Sequence, residues 1–94
     1  MKFTISNQRA LYGNDIDLLA EAEANETILA VTCSLDGFEI GSDHLEQTPV
    51  VSFRRIFPKA GEARTGLTHK FLVAVRVGEG NSSRYAAHIW TDVA

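Results

Sequence analysis

Apolar and polar residues alternate most regularly between residues 68 and 91. Every second position in the first part of this stretch is apolar, namely Phe71, Val73, Val75 and Val77. Alternation with a period of two is typical of a β-strand that buries one face. A segment rich in glycine, asparagine and serine follows at 78–83, and residues 84–91 return with β-forming side chains. The pattern predicts one long β-hairpin.

Shorter apolar runs predict four further strands, at residues 2–6, 27–35, 38–40 and 50–57. Asp36 and Gly37 separate the second of these runs from the third. An Asp-Gly pair favours a two-residue hairpin turn because both positions of that turn need a positive φ. We therefore expect these two strands to pair with each other.

Residues 14–24 carry the signals of a helix. Asn14 is a suitable N-cap, and acidic side chains follow it, where they meet the positive end of the helix dipole. Ile16, Leu19 and Ala20 form an apolar stripe at helical spacing, with Leu18 at its edge. The predicted fold class is therefore α+β: a single domain spanning residues 1–94, in which one mostly antiparallel sheet of about five to six strands carries one short helix on one face.

Length and composition restrict the class of protein. Ninety-four residues with 45% hydrophobic and 22% charged side chains suit one small globular domain. No apolar run approaches the roughly 20 residues that cross a bilayer, and the N-terminus turns polar at once. The single cysteine, Cys33, cannot form an intramolecular disulfide. These features predict a soluble, cytoplasmic protein with no membrane partner.

Charge is divided unevenly between the two halves of the chain. Residues 1–48 hold two basic and nine acidic side chains, a net charge of −7, whereas residues 49–94 hold seven basic and three acidic ones, a net charge of +4. Such a division is typical of proteins with an electrostatic partner. Two interpretations stay open: the halves neutralise each other within the domain, or the basic half faces a partner.

Residues capable of catalysis or metal binding show no recognisable arrangement. His44, His69 and His88 lack the spacing of a metal site, so we expect no metal and no cofactor. Cys33 lies in an apolar strand, where a buried and inert thiol is the usual outcome. We expect a protein that is not an enzyme. The alternative is a small enzyme that uses His44 with its acidic neighbours Glu39, Asp43 and Glu46.

The basic second half supplies the predicted partner-binding residues. They are spread over two or three neighbouring strands and one loop: Arg54, Arg55, Lys59, Arg64, Lys70, Arg76 and Arg84. Aromatic residues, including Tyr85 and Trp90, are interleaved with them. Sheet surfaces that bind single-stranded nucleic acid combine cations and aromatic rings in this way. The same cations would serve equally for an acidic protein surface.

A small, motif-free α+β chain with divided charge resembles, in format only, phage-encoded accessory proteins such as the anti-CRISPR inhibitors of host nucleoprotein complexes. The resemblance implies an inhibitor that binds a protein or nucleoprotein partner stoichiometrically. The expected function is therefore a non-enzymatic interaction module that acts through a charged surface. The alternatives are direct nucleic-acid binding through the basic half, and a self-assembling structural subunit formed by pairing of sheet edges.

Overall fold

The protein folds as two antiparallel β-sheets that share one core. The computed structural model describes residues 1–6, 14–58 and 68–93. Its strands are β1 (Lys2–Ile5), β2 (Ile16–Glu21), β3 (Thr27–Leu35), β4 (Phe38–His44), β5 (Ser52–Phe57), β6 (Thr68–Glu79) and β7 (Ser82–Val93). One sheet has the order β1-β2-β5 and the other β4-β3-β6-β7. The described residues contain no helix, so the α+β prediction is wrong and the fold is all-β.

The core is formed by the inner faces of the two sheets. The predicted apolar face of β6 is confirmed, because its alternate residues are inaccessible to solvent: Phe71, Val73, Val75 and Val77. Leu18 of β2 belongs to the same core from the three-stranded sheet. Aromatic rings join the sheets at two places, with centroids 5.8 Å apart for Phe57 and Phe71 and 6.5 Å apart for Phe3 and Trp90. Burial of these side chains stabilises the stacking of one sheet on the other.

The long hairpin predicted at the C-terminal end is confirmed and has a shorter turn than expected. Strands β6 and β7 pair without a register shift from Thr68 and Val93 to Glu79 and Ser82. The turn is therefore only two residues long. Gly80 has a φ of 59°, which is what a type II′ turn requires at its first central position.

The turn between β3 and β4 also confirms its prediction. Asp36 and Gly37 have φ values of 51° and 85°, as a type I′ turn requires. β4 continues to His44, further than the predicted return strand at 38–40. A register shift between Ile28 and Ala30 interrupts the pairing of β3 with β6. Residue 28 is buried as a result, and the inward alternation resumes at residue 31.

The predicted helix at 14–24 is wrong because residues 16–21 form β2, the central strand of the three-stranded sheet. The same residues also alternate with a period of two, which places Ile16, Leu18 and Ala20 on the buried face. A short helix depends on packing for its stability. Here two neighbouring strands satisfy the backbone of β2 on both sides, and the pairing overrides the local helical signals. Asn25 has a left-handed φ of 68° between β2 and β3.

The two neighbouring leucines of β2 provide a direct test of this assignment. Leu18 is fully buried and Leu19 is half-buried on the opposite face. We expect Leu18→Ala to lower the free energy of unfolding by about 2–5 kcal/mol, because it leaves a cavity in the core. Leu19→Ala should lower the free energy of unfolding by clearly less. Chemical denaturation of both variants measures the difference, and a larger loss at Leu19 would support the helix instead.

Candidate functional site

The predicted partner-binding cations lie on different surfaces of the protein. Arg54 is paired in register with Leu19, on the outer face of the three-stranded sheet, whereas Arg55 is paired with Leu18, on the inner face. Arg84 is opposite Val77 and therefore lies on the inner side of β7. Lys70 and Arg76 lie on the outer face of the four-stranded sheet. Lys59 and Arg64 lie outside the described residues.

Arg54 and Arg55 each bind a carboxylate of the acidic half. Arg54 donates through Nε and Nη2 to the two carboxylate oxygens of Asp17, at 2.9 and 2.6 Å. These hydrogen bonds hold the pKa of Asp17 below its ordinary value. Arg55 donates from Nη1 to Oδ2 of Asp43 at 2.8 Å, and its guanidinium carbon lies 4.8 Å from the centre of the Phe57 ring. Arg55 thus connects β5 of one sheet with β4 of the other.

Two more arginines are paired with carboxylates, Arg84 through a hydrogen bond and Arg76 through a longer ion pair. Arg84 of β7 donates to Oε2 of Glu26, whose residue is only 7% exposed. The hydrogen bond from Arg84 lowers the pKa of Glu26. Arg76 lies 3.4 Å from Oε1 of Glu46. Each arginine of the second half that the structure describes is therefore paired with a carboxylate from residues 1–48. This pairing favours the interpretation that the two halves neutralise each other.

The candidate acid–base cluster does not converge on one point. His44 contacts Glu46, with Nδ1 and Oε1 3.4 Å apart, next to a depression of ≈ 430 Å³ lined by residues 44–48. The carboxylate of Asp43 is bound to Arg55. Glu39 is exposed at the other end of β4. Cys33 is buried in the core, and burial raises the pKa of its thiol to about 12, which leaves it protonated at neutral pH.

A partly buried polar cluster at the start of β6 was not expected from the sequence. His69 donates from Nδ1 to Oδ2 of Asp36 at 2.7 Å, and Oδ1 of Asp36 accepts from the backbone N–H of Lys70 at 2.8 Å. His69 and its cross-strand neighbour Asp92 are both buried. Asp36 thereby fixes the β3–β4 turn to β6, which is a structural task. His88 is opposite Val73 and does not join His69. Within the described ranges, no group of three or more potential metal ligands comes together.

The outer side of the β6–β7 hairpin is the most distinctive exposed surface that the structure describes. We call it the outer hairpin face and define it by five residues: Lys70, Leu72, Arg76, Tyr85 and Ile89. Leu72 is paired with Ile89, and Arg76 with Tyr85. The exposed fraction is 77% for Tyr85 and 54% for Ile89. No described element covers this face, whereas Trp90 points into the core and is 8% exposed.

Lys70, Arg76 and the interleaved Tyr85 stand out in the sequence as candidates, whereas Leu72 and Ile89 of the same face do not. The signal was present in the return arm of the hairpin, where Tyr85, Ala87 and Ile89 alternate with Ala86, His88 and Trp90. Both sets are partly apolar, so the alternation does not by itself show which set is buried. The register with β6 decides it, because Trp90 is opposite the buried Phe71.

Comparison with protein-family models, with curated proteins and with solved structures finds no match for this chain. Across the described residues, there is no helix of the length and apolar character that a membrane crossing requires. The candidate functional site is therefore inferred from the geometry of this protein alone.

The pairing of Arg84 with Glu26 predicts a specific dependence of stability on pH. A carboxylate whose pKa is lowered on folding stabilises the protein above the unfolded value of about 4.3. This contribution is lost as the pH falls through the lower, folded value. We expect Glu26→Gln to lower the melting temperature at pH 7 and to flatten its decline in acid. Thermal unfolding between about pH 7 and pH 3 measures both effects.

The matched control for this prediction is Glu39→Gln. Glu39 is exposed, and the described residues offer it no ion pair. The control should melt like the wild type at every pH. If the melting temperature of Glu26→Gln fell as steeply in acid as that of the wild type, the role given to the Arg84–Glu26 pair would be contradicted.

Direct nucleic-acid binding through the described arginines is expected to be weak. Their guanidinium groups are engaged by carboxylates, so few are available to release counterions from phosphates. Anisotropy of labelled single- and double-stranded RNA and DNA should show no tight binding at about 50 mM salt. Trp90 fluorescence should not be quenched, because its ring is buried. Tight binding that weakens steeply with salt would contradict this expectation.

Proposed function

We propose that this protein is a non-enzymatic interaction module that binds a protein partner stoichiometrically through the outer hairpin face. One observation carries the proposal. Tyr85 and Ile89 present large apolar side chains to solvent on a regular two-stranded surface that no described element covers. Exposed apolar groups within a polar rim are typical of protein–protein contact sites.

The side chains of this face suit a protein surface of a particular chemistry. Tyrosine provides a large rigid ring with a polar end and often contributes strongly to protein interfaces. Arg76 lies opposite Tyr85, and Lys70 lies near the start of β6, on the other side of the Leu72–Ile89 pair. We therefore expect the partner to offer an apolar patch with acidic groups at its rim. A nucleoprotein complex would meet this face through its protein component.

The proposal modifies the binding residues expected from the sequence. Lys70 and Arg76 are kept, and Leu72, Tyr85 and Ile89 are added. Arg76 lies on this face even though it pairs with Glu46. Arg54, Arg55 and Arg84 lie on other surfaces, where each holds a carboxylate of the acidic half, and are assigned to the stability of the fold. By covering a surface of its partner without changing it chemically, such a module would act as a stoichiometric inhibitor.

Alanine substitutions on this face test the proposal. Tagged wild-type protein and a Tyr85→Ala/Ile89→Ala variant are used as bait in the cells of origin, and recovered proteins are quantified. We expect the wild type to retain a partner in a fixed molar ratio and the variant to recover at least about tenfold less, since residues of this kind dominate interfaces. Both side chains are exposed, so the fold should be kept.

The matched control is Phe38→Ala at the tip of the β3–β4 hairpin, because Phe38 is as exposed as Tyr85, at 77%. It should recover the same amount of partner as the wild type. Equal recovery by the Tyr85→Ala/Ile89→Ala variant would rule out the outer hairpin face as the binding site.

A further inference from the structure

Strand β7 differs from the three other sheet edges that the structure describes. Exposed edges invite pairing with another chain, and proteins protect them with short strands, charges, prolines or bulges. β1 has only four residues, β5 carries two arginines and is followed by Pro58, and β4 is paired with β3 through a register shift and carries acidic side chains. β7 has 12 residues, contains no proline or lysine, and pairs with β6 without interruption. Its two charged residues lie on the inner side, where Arg84 is held by Glu26 and Asp92 is buried, so the outer side of the edge carries no charge.

The backbone groups that β7 presents at its open edge can be identified. The N–H and C=O of Lys70 both point toward Asp36 at the end of β3. The backbone groups of successive residues in a strand point alternately to its two sides, so the odd-numbered residues of β6 form their hydrogen bonds with β7. Because each odd-numbered residue of β6 is paired with an even-numbered residue of β7, the even-numbered residues of β7 form their hydrogen bonds with β6. The odd-numbered residues point away from β6 at the open edge: Ser83, Tyr85, Ala87, Ile89 and Thr91.

The sequence of β7 is complementary to itself around Ala87. When a second β7 runs antiparallel with Ala87 opposite Ala87, Tyr85 lies opposite Ile89 of the second copy, and Ser83 lies opposite Thr91. Aromatic side chains opposite β-branched ones are favourable cross-strand pairs, as are serine and threonine. The small Ala87 side chains meet at the centre without crowding. This register aligns nearly the whole strand and gives about ten backbone hydrogen bonds.

We infer that two copies of this chain pair through β7, antiparallel and around a two-fold axis at Ala87, so that their four-stranded sheets join into one sheet of eight strands. The interface is isologous, as in most homodimers, and it removes the one unprotected edge that the described residues leave. The inference does not rest on the proposed function. The new hydrogen bonds lie in the plane of the sheet, and the two outer hairpin faces would become adjacent on one side of it.

The mass of the purified protein in solution tests the inference. Light scattering over a dilution series from about 1 mM to about 1 μM should show twice the chain mass of 10.3 kDa at the upper end. Ala87→Lys places two like charges opposite each other at the axis and should give a monomer. The matched control, Ser42→Lys, adds the same charge to the same outer side at β4 and should remain a dimer. Circular dichroism confirms that both variants are folded.

Disulfide cross-linking tests the register separately. In the proposed pairing the two Ala87 Cα atoms lie about 5.5 Å apart, within the range of a disulfide. Ala87→Cys should therefore cross-link to itself on mild oxidation. Tyr85→Cys should not cross-link to itself and should cross-link when mixed with Ile89→Cys. The native Cys33 is buried and does not compete.

Three results would overturn the inference: a monomer at every concentration, a dimer that persists in Ala87→Lys, or cross-links in another register. These results do not decide the bait experiment, which measures whether a partner binds to the outer hairpin face. A wild-type protein that is a monomer at every concentration and still binds a partner through the outer hairpin face would reject only the dimer.

Discussion

The inner face of β6 is the constraint on which the rest of this structure depends. Four successive inward side chains, from Phe71 to Val77, are completely removed from solvent. A single sheet cannot bury such a face, so a second layer has to cover it. The first 57 residues supply that layer as β1, β2 and β5, and they also provide β3, which flanks β6 on one side. Strand β7 flanks β6 on the other side and becomes the edge of the sheet.

The division of charge follows from the same arrangement. Acidic and basic halves of the chain are interleaved in space, and the described arginines of the basic half each meet a carboxylate of the acidic half. Arg55 shows the effect most clearly, since it connects the two sheets through Asp43 and lies over Phe57. Because these arginines form ion pairs within the protein, the apolar centre of the outer hairpin face, at Tyr85 and Ile89, is the surface best suited to a partner. The charged side chains then stabilise the fold and form the rim of the outer hairpin face.

Much of the fold could be predicted from local patterns, and the failures have a common cause. Strand β3, the inner face of β6 and the Asp36-Gly37 turn follow from alternation and turn chemistry within a few residues. The segment from Ile16 to Glu21 satisfies both helical and strand spacing, so only its pairing with β1 and β5 decides between them. The candidate binding surface could not be predicted for the same reason. Arg54 and Arg84 are visible as cations in the sequence, but their partners Asp17 and Glu26 lie 37 and 58 residues away along the chain. Whether Tyr85 or Trp90 faces solvent also depends on register.

Hydrogen exchange of the β7 amides, followed residue by residue as a function of protein concentration, would test most directly whether β7 is an open edge used for association. Even-numbered amides bond to β6 and should be protected at every concentration. Odd-numbered amides, from Ser83 to Thr91, should exchange rapidly in dilute protein and become protected as concentration rises. Uniform protection in dilute protein would show that this chain covers the edge itself. Rapid exchange of the odd-numbered amides at every concentration would show that the edge stays unpaired, and either result would contradict the account.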